Sequence, residues 1–500
     1  MKQRNLFLCL ILTSCLCLLS LSCNKKDNID NNNNGGSNND ECIISIYSVN
    51  DFHGAIKEKA SKIGKYLIDK KNANEQNTVI LSAGDMFQGT GLSNLNYGKD
   101  VVNIMNIAKF DAMTVGNHEF DWELDTVLSY FDGDETNGEA SFPFLGCNVI
   151  DKRTNNLPNN LASYTIIERG NLNIGVIGYI GVGLEDSIAT QMVENYEFKD
   201  PVPIIEEIAT DLRKNHDVDI VIASGHDANS STNRDLANLN GDARIDAIIN
   251  GHSHSKTVGT IRRASDGYDV PYVQAGSSGE AVGEIKLTYN FNEQKVVKGK
   301  PSTQLITSNA KEDETIKAYV EKIISDSASV FERVIGTSGC DLNQFSAATW
   351  ACNAMQSYVK TTYGECDIAF TNIGGIRTSA FPIVKDEVIS VERMYEMMPF
   401  DNTIKVVTLK GNVIRLLLQN LGELCYSDST VEINGQTIII NNQLLDDDLS
   451  YRVACVDYIF DKESYPFLKG EDIYQTGVLF RDIMIQNIEE ATKNNQKCFI

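Results

Sequence analysis

The chain has 500 residues, which is too long for one ordinary domain and suits two or three. Its hydrophobic content of 42% is enough to form true cores. The formal net charge of -24 disfavours binding to the phosphate backbone of nucleic acid, so no nucleic-acid partner is predicted. Small anionic substrates stay compatible with this charge, because a bound metal ion can invert the local field.

The N-terminus has the features of a targeting segment. Lys2 and Arg4 precede the apolar run LFLCLILTSCLCLLSLSC, which is typical of a secretory signal and too short and too early for a spanning helix. We predict a signal peptide over residues 1–22, lipidation of Cys23 in the manner of bacterial lipoproteins, and a flexible Asn-rich tether over residues 23–41. Lipidation at Cys15, or a secretory signal without lipid, stays open as an alternative. The protein is therefore expected to be exported and membrane-anchored, in the periplasm or at the cell surface.

Eight cysteines follow Cys23, scattered from Cys42 to Cys498 without a CxxC motif or the spacing of a zinc knuckle. Export permits disulfides without requiring them, so no pairing is predicted. We expect most of these cysteines to pack as small buried hydrophobic residues.

Short apolar runs rich in β-branched residues alternate with helical patterns from Cys42 to about residue 305. The strand-like runs are CIISIYSV, TVILSAG, FDAMTVG, LNIGVIGYI, VDIVIASG and IDAIING. The run PVPIIEEIATDLRKN has helical periodicity, with proline near its start. This alternation predicts a layered α/β domain over residues 42–305, with its site where the strands end.

A connecting helix is predicted next, near residues 312–336, within a linking segment over 306–336. The run FSAATWACNAMQSYV then predicts a second amphipathic helix, and CDIAFTNIGGIRTS predicts a strand that enters a Gly-rich turn. A distinct C-terminal domain is therefore expected over residues 337–500.

Histidines are few, and most of them follow strand-like runs together with acidic or amide residues. Only His216 lies in an ordinary context. The clustered residues are Asp51, His53, Asp85, Asn117, His118, His226, His252 and His254. Residues two apart at a strand end point to the same side, and the ends of parallel strands lie side by side. These segments can therefore converge on one place.

Mixed His, Asp and Asn ligands suit a divalent ion such as zinc, manganese or cobalt. The clustered residues other than His118 are seven candidate ligands, which exceed what one tetrahedral site uses, so two metal ions bridged by a carboxylate are predicted. Sites with two metals are typical of phosphate ester hydrolysis. His118 and Asp121 are three residues apart, close enough for the carboxylate to hold the imidazole.

The segments DFHG, GDMFQG, GNHEFD, SGHD and GHSH resemble the signature of the calcineurin-like metallophosphoesterases. With TNIGGIR and PFDN downstream, the chain resembles the 5'-nucleotidase / UDP-sugar hydrolase / 2',3'-cyclic-nucleotide 2'-phosphodiesterase family. The resemblance implies a four-layer α/β/β/α metallophosphoesterase domain followed by a smaller α+β 5'-nucleotidase C-terminal domain.

The resemblance also implies roles for individual residues. His118 and Asp121 would form the catalytic dyad. His254 falls where the family varies, which is a mild departure. One metal ion would be held by Asp51, His53, Asp85 and His254. The other would be held by Asp85, Asn117, His226 and His252, with Asp85 bridging the two.

Substrate contact is implied for Asn372, Gly374, Gly375 and Arg377, and a nucleobase would be sandwiched between Phe400 and Tyr458. Two stretches of the chain depart from the family pattern. FDKESYPFLKG replaces the usual GGDG-type turn after the second aromatic residue, and SAATWACNAM lacks the usual Leu-Gly-Asn run. Both changes affect the pocket that selects the substrate.

The expected function is that of an exported 5'-nucleotidase, which releases phosphate from nucleoside monophosphates and could also accept UDP-sugars or 2',3'-cyclic nucleotides. Two alternatives stay open. One is a hydrolase for a non-nucleotide organic phosphate or a sulfur ester, and the other is a surface binding protein that has lost catalysis.

Overall fold

The computed structural model describes residues 40–136 and 138–499. The predicted signal peptide, the lipidation site at Cys23 and nearly all of the tether lie outside these residues. No helix in the described part of the chain is both long and apolar enough to cross a membrane.

The first sheet of the N-terminal domain is mostly parallel. Its strand Glu41–Val49 pairs in parallel with Thr78–Ser82 and antiparallel with Ala281–Asn290. In spatial order the strands are Lys295–Leu305, Ala281–Asn290, Glu41–Val49, Thr78–Ser82, Ala112–Thr114, Phe144–Leu145 and Leu161–Ala162.

The second sheet has a parallel interior and antiparallel edges. In spatial order its strands are Lys256–Arg262, Asp269–Ala275, Ala247–Asn250, Ile220–His226, Leu172–Ile180 and Tyr164–Arg169. The strands of the interior are continuously buried, which explains why their sequences read as unbroken apolar runs.

The two sheets pack face to face over one apolar core. Because side chains alternate along a strand, every second residue enters this core. Its members include Ile44, Ile46, Val79, Leu81, Ile174, Val176, Ile220, Ile222, Ile249 and Ile285. The helices Ser61–Ala73 and Lys99–Ile107 cover the outer face of the first sheet, and Pro201–Asn215 and Ser230–Asn238 cover that of the second. The predicted four-layer α/β/β/α architecture is confirmed.

The linking helix is shorter than predicted. It spans Glu314–Phe331, and Asp313 caps its start by accepting hydrogen bonds from the backbone of Thr315 and Ile316. The predicted C-terminal turns of this helix are replaced by the strand Val334–Thr337, which pairs with Val388–Ser390. This pairing is long-range, so a local periodicity cannot indicate it.

The C-terminal domain is built on a mixed sheet. In spatial order its strands are Leu424–Tyr426, Ile368–Asn372, Ser450–Val456, Thr403–Lys410 and Glu471–Leu479. The helix Gln344–Tyr363 packs on this sheet, and the helix Phe480–Lys493 packs on that helix. This domain has the α+β character that the sequence predicts.

Shorter elements complete the described chain. Paired short strands are Val149–Asp151 with Tyr196–Phe198, and Val431–Asn434 with Thr437–Ile440 and Gln443–Leu444. Short helices and turns lie at Ile56–Ala60, Glu75–Asn77, Gly91–Asn94, Asn117–Phe120, Leu124–Leu128, Ser129–Phe131, Leu184–Ser187, Thr190–Val193, Gly241–Ala243, Ile373–Gly375, Thr378–Ala380, Val391–Met397, Gly411–Gln419, Asp457–Phe460 and Pro466–Lys469. The cysteines from Cys42 to Cys498 are free thiols, and most of them are buried.

The linking helix packs on the N-terminal domain where Ile316 meets Gly64. This close approach predicts that Gly64→Ala has opposite effects on stability in the wild type and in the Ile316→Ala variant. A Cβ atom at Gly64 would lie 2.1 Å from Ile316 Cδ1. Gly64→Ala should therefore lower the free energy of unfolding by about 1–3 kcal/mol. Ile316→Ala alone should lower it by about 2–5 kcal/mol. In the Ile316→Ala background Gly64→Ala should instead raise it by about 0.5–1 kcal/mol, because the clash is gone and alanine favours the helix.

Urea unfolding of the four proteins measures this cycle. If Gly64→Ala changes the free energy of unfolding equally in both backgrounds, this contact does not position the linking helix.

Candidate active site

Polar side chains stand at strand ends along one edge that both sheets share. Asp51, Asp85 and Asn117 follow three strands of the first sheet, while His226 ends a strand of the second and His252 follows the next. The sequence indicates convergence at parallel strand ends, and the structure shows that two sheets contribute. The close face-to-face packing of the sheets brings both sets of strand ends to one place.

One cluster joins the first and last of the sequence motifs. The Nε2 atoms of His53 and His254 lie 2.9 Å apart, and His254 Nε2 lies 3.8 Å from Asp51 Oδ1. The loop that carries His254 is held in place because the backbone N–H of His252 donates to both oxygens of Asp51, at 3.0 Å each. These three side chains could together hold a metal ion.

A second cluster surrounds His226. Its Nε2 atom lies 3.1 Å from Asp85 Oδ2 and 3.1 Å from Asn117 Oδ1, and the same Asn117 oxygen lies 3.1 Å from His252 Nδ1. Asp85 also lies close to His53, so its carboxylate stands between the two clusters. All seven residues predicted as metal ligands are thus within two adjoining groups.

Carbonyl groups fix the tautomers of two of the imidazoles. His226 Nδ1 donates to the Ala83 carbonyl at 2.7 Å, and His53 Nδ1 donates to the Gln88 carbonyl at 3.0 Å. The Nε2 atom of each ring is therefore the one that faces the cluster.

The clusters suit cations because acceptor atoms face each other there. A neutral His226 would turn its Nε2 lone pair towards oxygens of Asp85 and Asn117, and that arrangement is repulsive unless a proton or a metal cation lies between them. The pKa of His226 reflects the same need for positive charge. Burial acts to lower the pKa of His226, but Asp85 overcomes it and raises the pKa to about 10. Nitrogen and oxygen donors at such spacing fit a borderline divalent ion.

Several of the predicted ligands have a left-handed backbone, which is unfavourable for residues with a side chain. Their φ angles are +49° for Asp51, +49° for His53, +55° for Asp85, +80° for His252 and +57° for His254. Such conformations persist only where the surrounding structure imposes them. Here backbone hydrogen bonds tie the loops together, because the N–H groups of Asp51 and His53 donate to the carbonyls of Gly84 and Asp85.

Glu119 is a functional residue that the sequence reasoning missed. Its fully buried carboxylate accepts hydrogen bonds from the backbone N–H groups of Asp85 (2.8 Å), Met86 (2.9 Å) and Gly116 (2.6 Å). It therefore clamps the loop that carries Asp85 to the loop that carries Asn117. Its place inside GNHEFD, beside the predicted catalytic residue His118, was the signal that could have identified it.

His118 and Asp121 form a pair beside the clusters. The Nδ1 atom of His118 lies 2.7 Å from Asp121 Oδ2, and both side chains are mostly buried. Burial acts to lower the pKa of His118, but the carboxylates of Asp121 and Asp85 outweigh it and raise the pKa. The ring of Phe400 stacks on His118 with 5.7 Å between the ring centres.

A cavity of about 320 Å³ lies between the two domains at this point. All the predicted substrate contacts line this cavity, namely Asn372, Gly374, Gly375, Arg377, Phe400 and Tyr458. The rings of Phe400 and Tyr458 are not in contact with each other, and Phe400 stacks instead on His118. The sequence reasoning missed Trp122, Met192 and Glu423, which also line it. Gln88 is a further lining residue, and both polar atoms of its buried side-chain amide lack a hydrogen-bond partner within residues 40–136 and 138–499.

Arg377 offers positive charge to the cavity. Its guanidinium group lies 4.7 Å from the ring centre of Phe400. Burial lowers the pKa of Arg377, and the carboxylates of Asp121 and Asp85 partly offset this. Arginine stays charged in proteins, and its planar fork of donors matches the oxygens of a phosphate.

Known proteins match both halves of the chain. Residues 44–256 match the profile of the calcineurin-like phosphoesterases, and residues 327–470 match that of the 5'-nucleotidase C-terminal domain. Snake venom 5'-nucleotidase of Naja atra is 26% identical over 395 residues, which are 73% of this chain and 72% of that protein. The 5'-nucleotidase of Homo sapiens is 26% identical over 438 residues, which are 80% of this chain and 73% of that protein.

The fold is also shared with a solved structure. The 5'-nucleotidase precursor of Thermus thermophilus superposes with a TM-score of 0.71 at 22% identity, and the match covers 90% of this chain and 96% of that one. Because the two profiles match in tandem and the whole arrangement of layers recurs, the chain belongs to the calcineurin-like phosphoesterases that carry a 5'-nucleotidase C-terminal domain, and it is a metal-dependent phosphoric ester hydrolase.

Proposed function

We propose that the chain is an exported 5'-nucleotidase that uses two divalent cations, zinc, manganese or cobalt, to release phosphate from nucleoside monophosphates. The observation that carries the proposal is the pair of adjoining ligand clusters with Asp85 between them. UDP-sugars and 2',3'-cyclic nucleotides are further candidate substrates.

The proposed ligand sets follow the two clusters. Asp85 would bridge the two ions, since its carboxylate lies near members of both. The first ion would be held by Asp51, His53, Asp85 and His254. The second would be held by Asp85, Asn117, His226 and His252. When bound, two such cations supply Lewis acidity that makes water reactive near neutral pH and draws charge from the phosphate ester.

His118 would act on the phosphate directly, and Asp121 would act through His118. Asp121 accepts from Nδ1 of His118 and so leaves Nε2 of His118 to donate a proton or a hydrogen bond to a phosphoryl or leaving oxygen. The carboxylate also favours the protonated imidazole. A protein that only binds its ligand would have no need of this pair.

The C-terminal domain would bind the rest of the substrate. Arg377 would donate to phosphate oxygens, and Asn372, Gly374 and Gly375 would contact the substrate from the turn beside it. Phe400 and Tyr458 would provide the aromatic surfaces that a base requires. The cavity volume of about 320 Å³ is at the lower end of the range for small-molecule sites.

Export and the division into domains are also part of the proposal. The apolar N-terminal run supports secretion, and Cys23 is the proposed site of lipidation. The profile matches at 44–256 and 327–470 support a catalytic domain over 42–305, a linking segment over 306–336 that contains the helix Glu314–Phe331, and a substrate-binding domain over 337–500.

Metal content tests the bridging role of Asp85. Purified protein reconstituted with zinc or manganese should hold two ions per chain by elemental analysis, and Asp85→Asn should hold fewer, because the substitution removes the charge that stands between both ions. Asp269→Asn, which changes an exposed carboxylate, is the matched control and should keep both ions. Two ions per chain in Asp85→Asn would contradict the bridge.

The pH dependence of kcat tests the pairing of His118 with Asp121. Because Asp121 raises the pKa of His118, Asp121→Asn should lower that pKa. The protonated imidazole is then lost at lower pH, so the alkaline limb of the kcat profile should move towards lower pH. We also expect kcat at its optimum to fall by about 10²-fold. An alkaline limb that does not move would show that this pair does not control the step.

A substrate panel tests the proposed function itself. AMP, UDP-glucose, 2',3'-cyclic AMP and p-nitrophenyl phosphate are compared on the metal-loaded protein, and AMP should give the highest kcat/KM. His118→Ala should lower kcat on every substrate by about 10³-fold while metal content is unchanged. Rapid cleavage of the aryl phosphate with no cleavage of any nucleotide would favour the non-nucleotide alternative. Absence of activity on all of them in the metal-loaded wild type would favour a binding protein.

A further inference from the structure

A lysine of the C-terminal domain holds a loop of the N-terminal domain at the rim of the cavity. The Nζ atom of Lys462 donates to the backbone carbonyls of Asp186 (2.6 Å), Ile188 (2.8 Å) and, at longer range, Glu185 (3.5 Å). An ammonium group has three N–H donors, so these carbonyls satisfy it. The carbonyls lie in and just after the short helix Leu184–Ser187, and that of Glu185 also accepts from the backbone N–H of Ile188 at 3.1 Å.

The same ammonium group fixes an aromatic wall of the cavity. It lies 4.9 Å from the ring centre of Tyr458, and the hydroxyl of Tyr458 donates to the carbonyl of Asp186 at 3.3 Å. Tyr458 lines the cavity together with Ala189 and Met192, which belong to the loop that the lysine holds. Lys462 therefore fixes the ring and the loop relative to each other.

A second lysine crosses between the domains away from the cavity, and it provides a comparison. Lys57 Nζ lies 2.9 Å from Glu392 Oε1, with 45% and 29% of the two side chains exposed. Neither residue lines the cavity. Exposed pairs of this kind contribute little, so this contact is a suitable control for a general effect of interdomain lysines.

We propose that Lys462 is a positioning residue for substrate choice, which holds Tyr458 in the orientation that lets its ring stack on the aromatic base of a nucleotide. The inference rests on the proposed function and names a residue that acts on specificity without touching the phosphate. Lys462 lies in the segment FDKESYPFLKG, which departs from the glycine-rich turn of the family that the chain resembles. The departure thus places the ammonium group of Lys462 beside the ring of Tyr458.

Steady-state kinetics on AMP and on ribose 5-phosphate, which lacks the base, test this role. Lys462→Met should raise KM for AMP about tenfold, because stacking on an aromatic side chain is lost, and should leave kcat within about twofold. KM for ribose 5-phosphate should change by less than about twofold, because that substrate makes no such contact. Lys462→Arg should restore most of the AMP affinity, and Lys57→Met should match the wild type on both substrates.

Each other outcome has a defined meaning. Equal increases of KM on both substrates, or no increase on AMP, would overturn the positioning role while the nucleotidase activity stands. If the wild type cleaves ribose 5-phosphate but not AMP, the nucleotide assignment and this inference both fail. Lys462→Gln serves as the second variant should the methionine substitution prevent folding, and the same pattern is expected for it.

Discussion

Repulsion among acceptor atoms at the shared edge of the two sheets is the constraint on which the rest of the structure depends. Carboxylate oxygens, an amide oxygen and imidazole nitrogens converge there within hydrogen-bond distance, and each close pair needs a proton or a cation between its two atoms. Left alone, such groups would move apart or take up protons. They stay together because each stands at or after the end of a strand, and the apolar core between the sheets fixes those strands. The left-handed backbone at Asp51, Asp85 and His252 shows that the loops are held in unfavourable conformations for this purpose.

Anchoring of these loops is itself electrostatic. Glu119 satisfies three backbone N–H groups from two loops with one buried carboxylate, and burial, followed by the nearby charge of Asp85, raises its pKa to about 7. A carboxylate so close to Asp85 adds to the negative charge around the ligand clusters. The cations of the proposed function would offset the negative charge of Glu119 as well as that of the ligand carboxylates. Stability of the loops and affinity for metal are therefore coupled in this fold.

Different parts of this site were predictable for different reasons. The site residues could be identified because His53, His118, His226 and His252 each follow an apolar run, and that juxtaposition is local in the sequence. The alternation of elements predicted a layered α/β domain, and the four-layer order came from the resemblance to the metallophosphoesterases. The contribution of two sheets could not be predicted from spacing, since face-to-face packing is a long-range arrangement. The end of the linking helix at Phe331 was misplaced because a strand pairing overrides helical periodicity. Glu119 was missed because an acidic residue beside a catalytic motif looks like a solvated one until its burial is known.

The two ends of the cavity are controlled by separate sets of contacts. At the phosphate end, Arg377 and the stacked pair of Phe400 and His118 bring the C-terminal domain against the catalytic groups. Arg481 supports that end, because it donates to the carbonyls of Met398 and Phe400. At the far end, the carbonyls of Asp186 and Ile188 meet the ammonium group of Lys462. Because no hydrogen bond described in the structure links Lys462 to His118 or Asp121, a substitution at the far end would leave the pairing of His118 with Asp121 in place. Of the two departures from the family pattern, FDKESYPFLKG lies at this far end, whereas SAATWACNAM lies in the helix Gln344–Tyr363 and its residues are not among those that line the cavity.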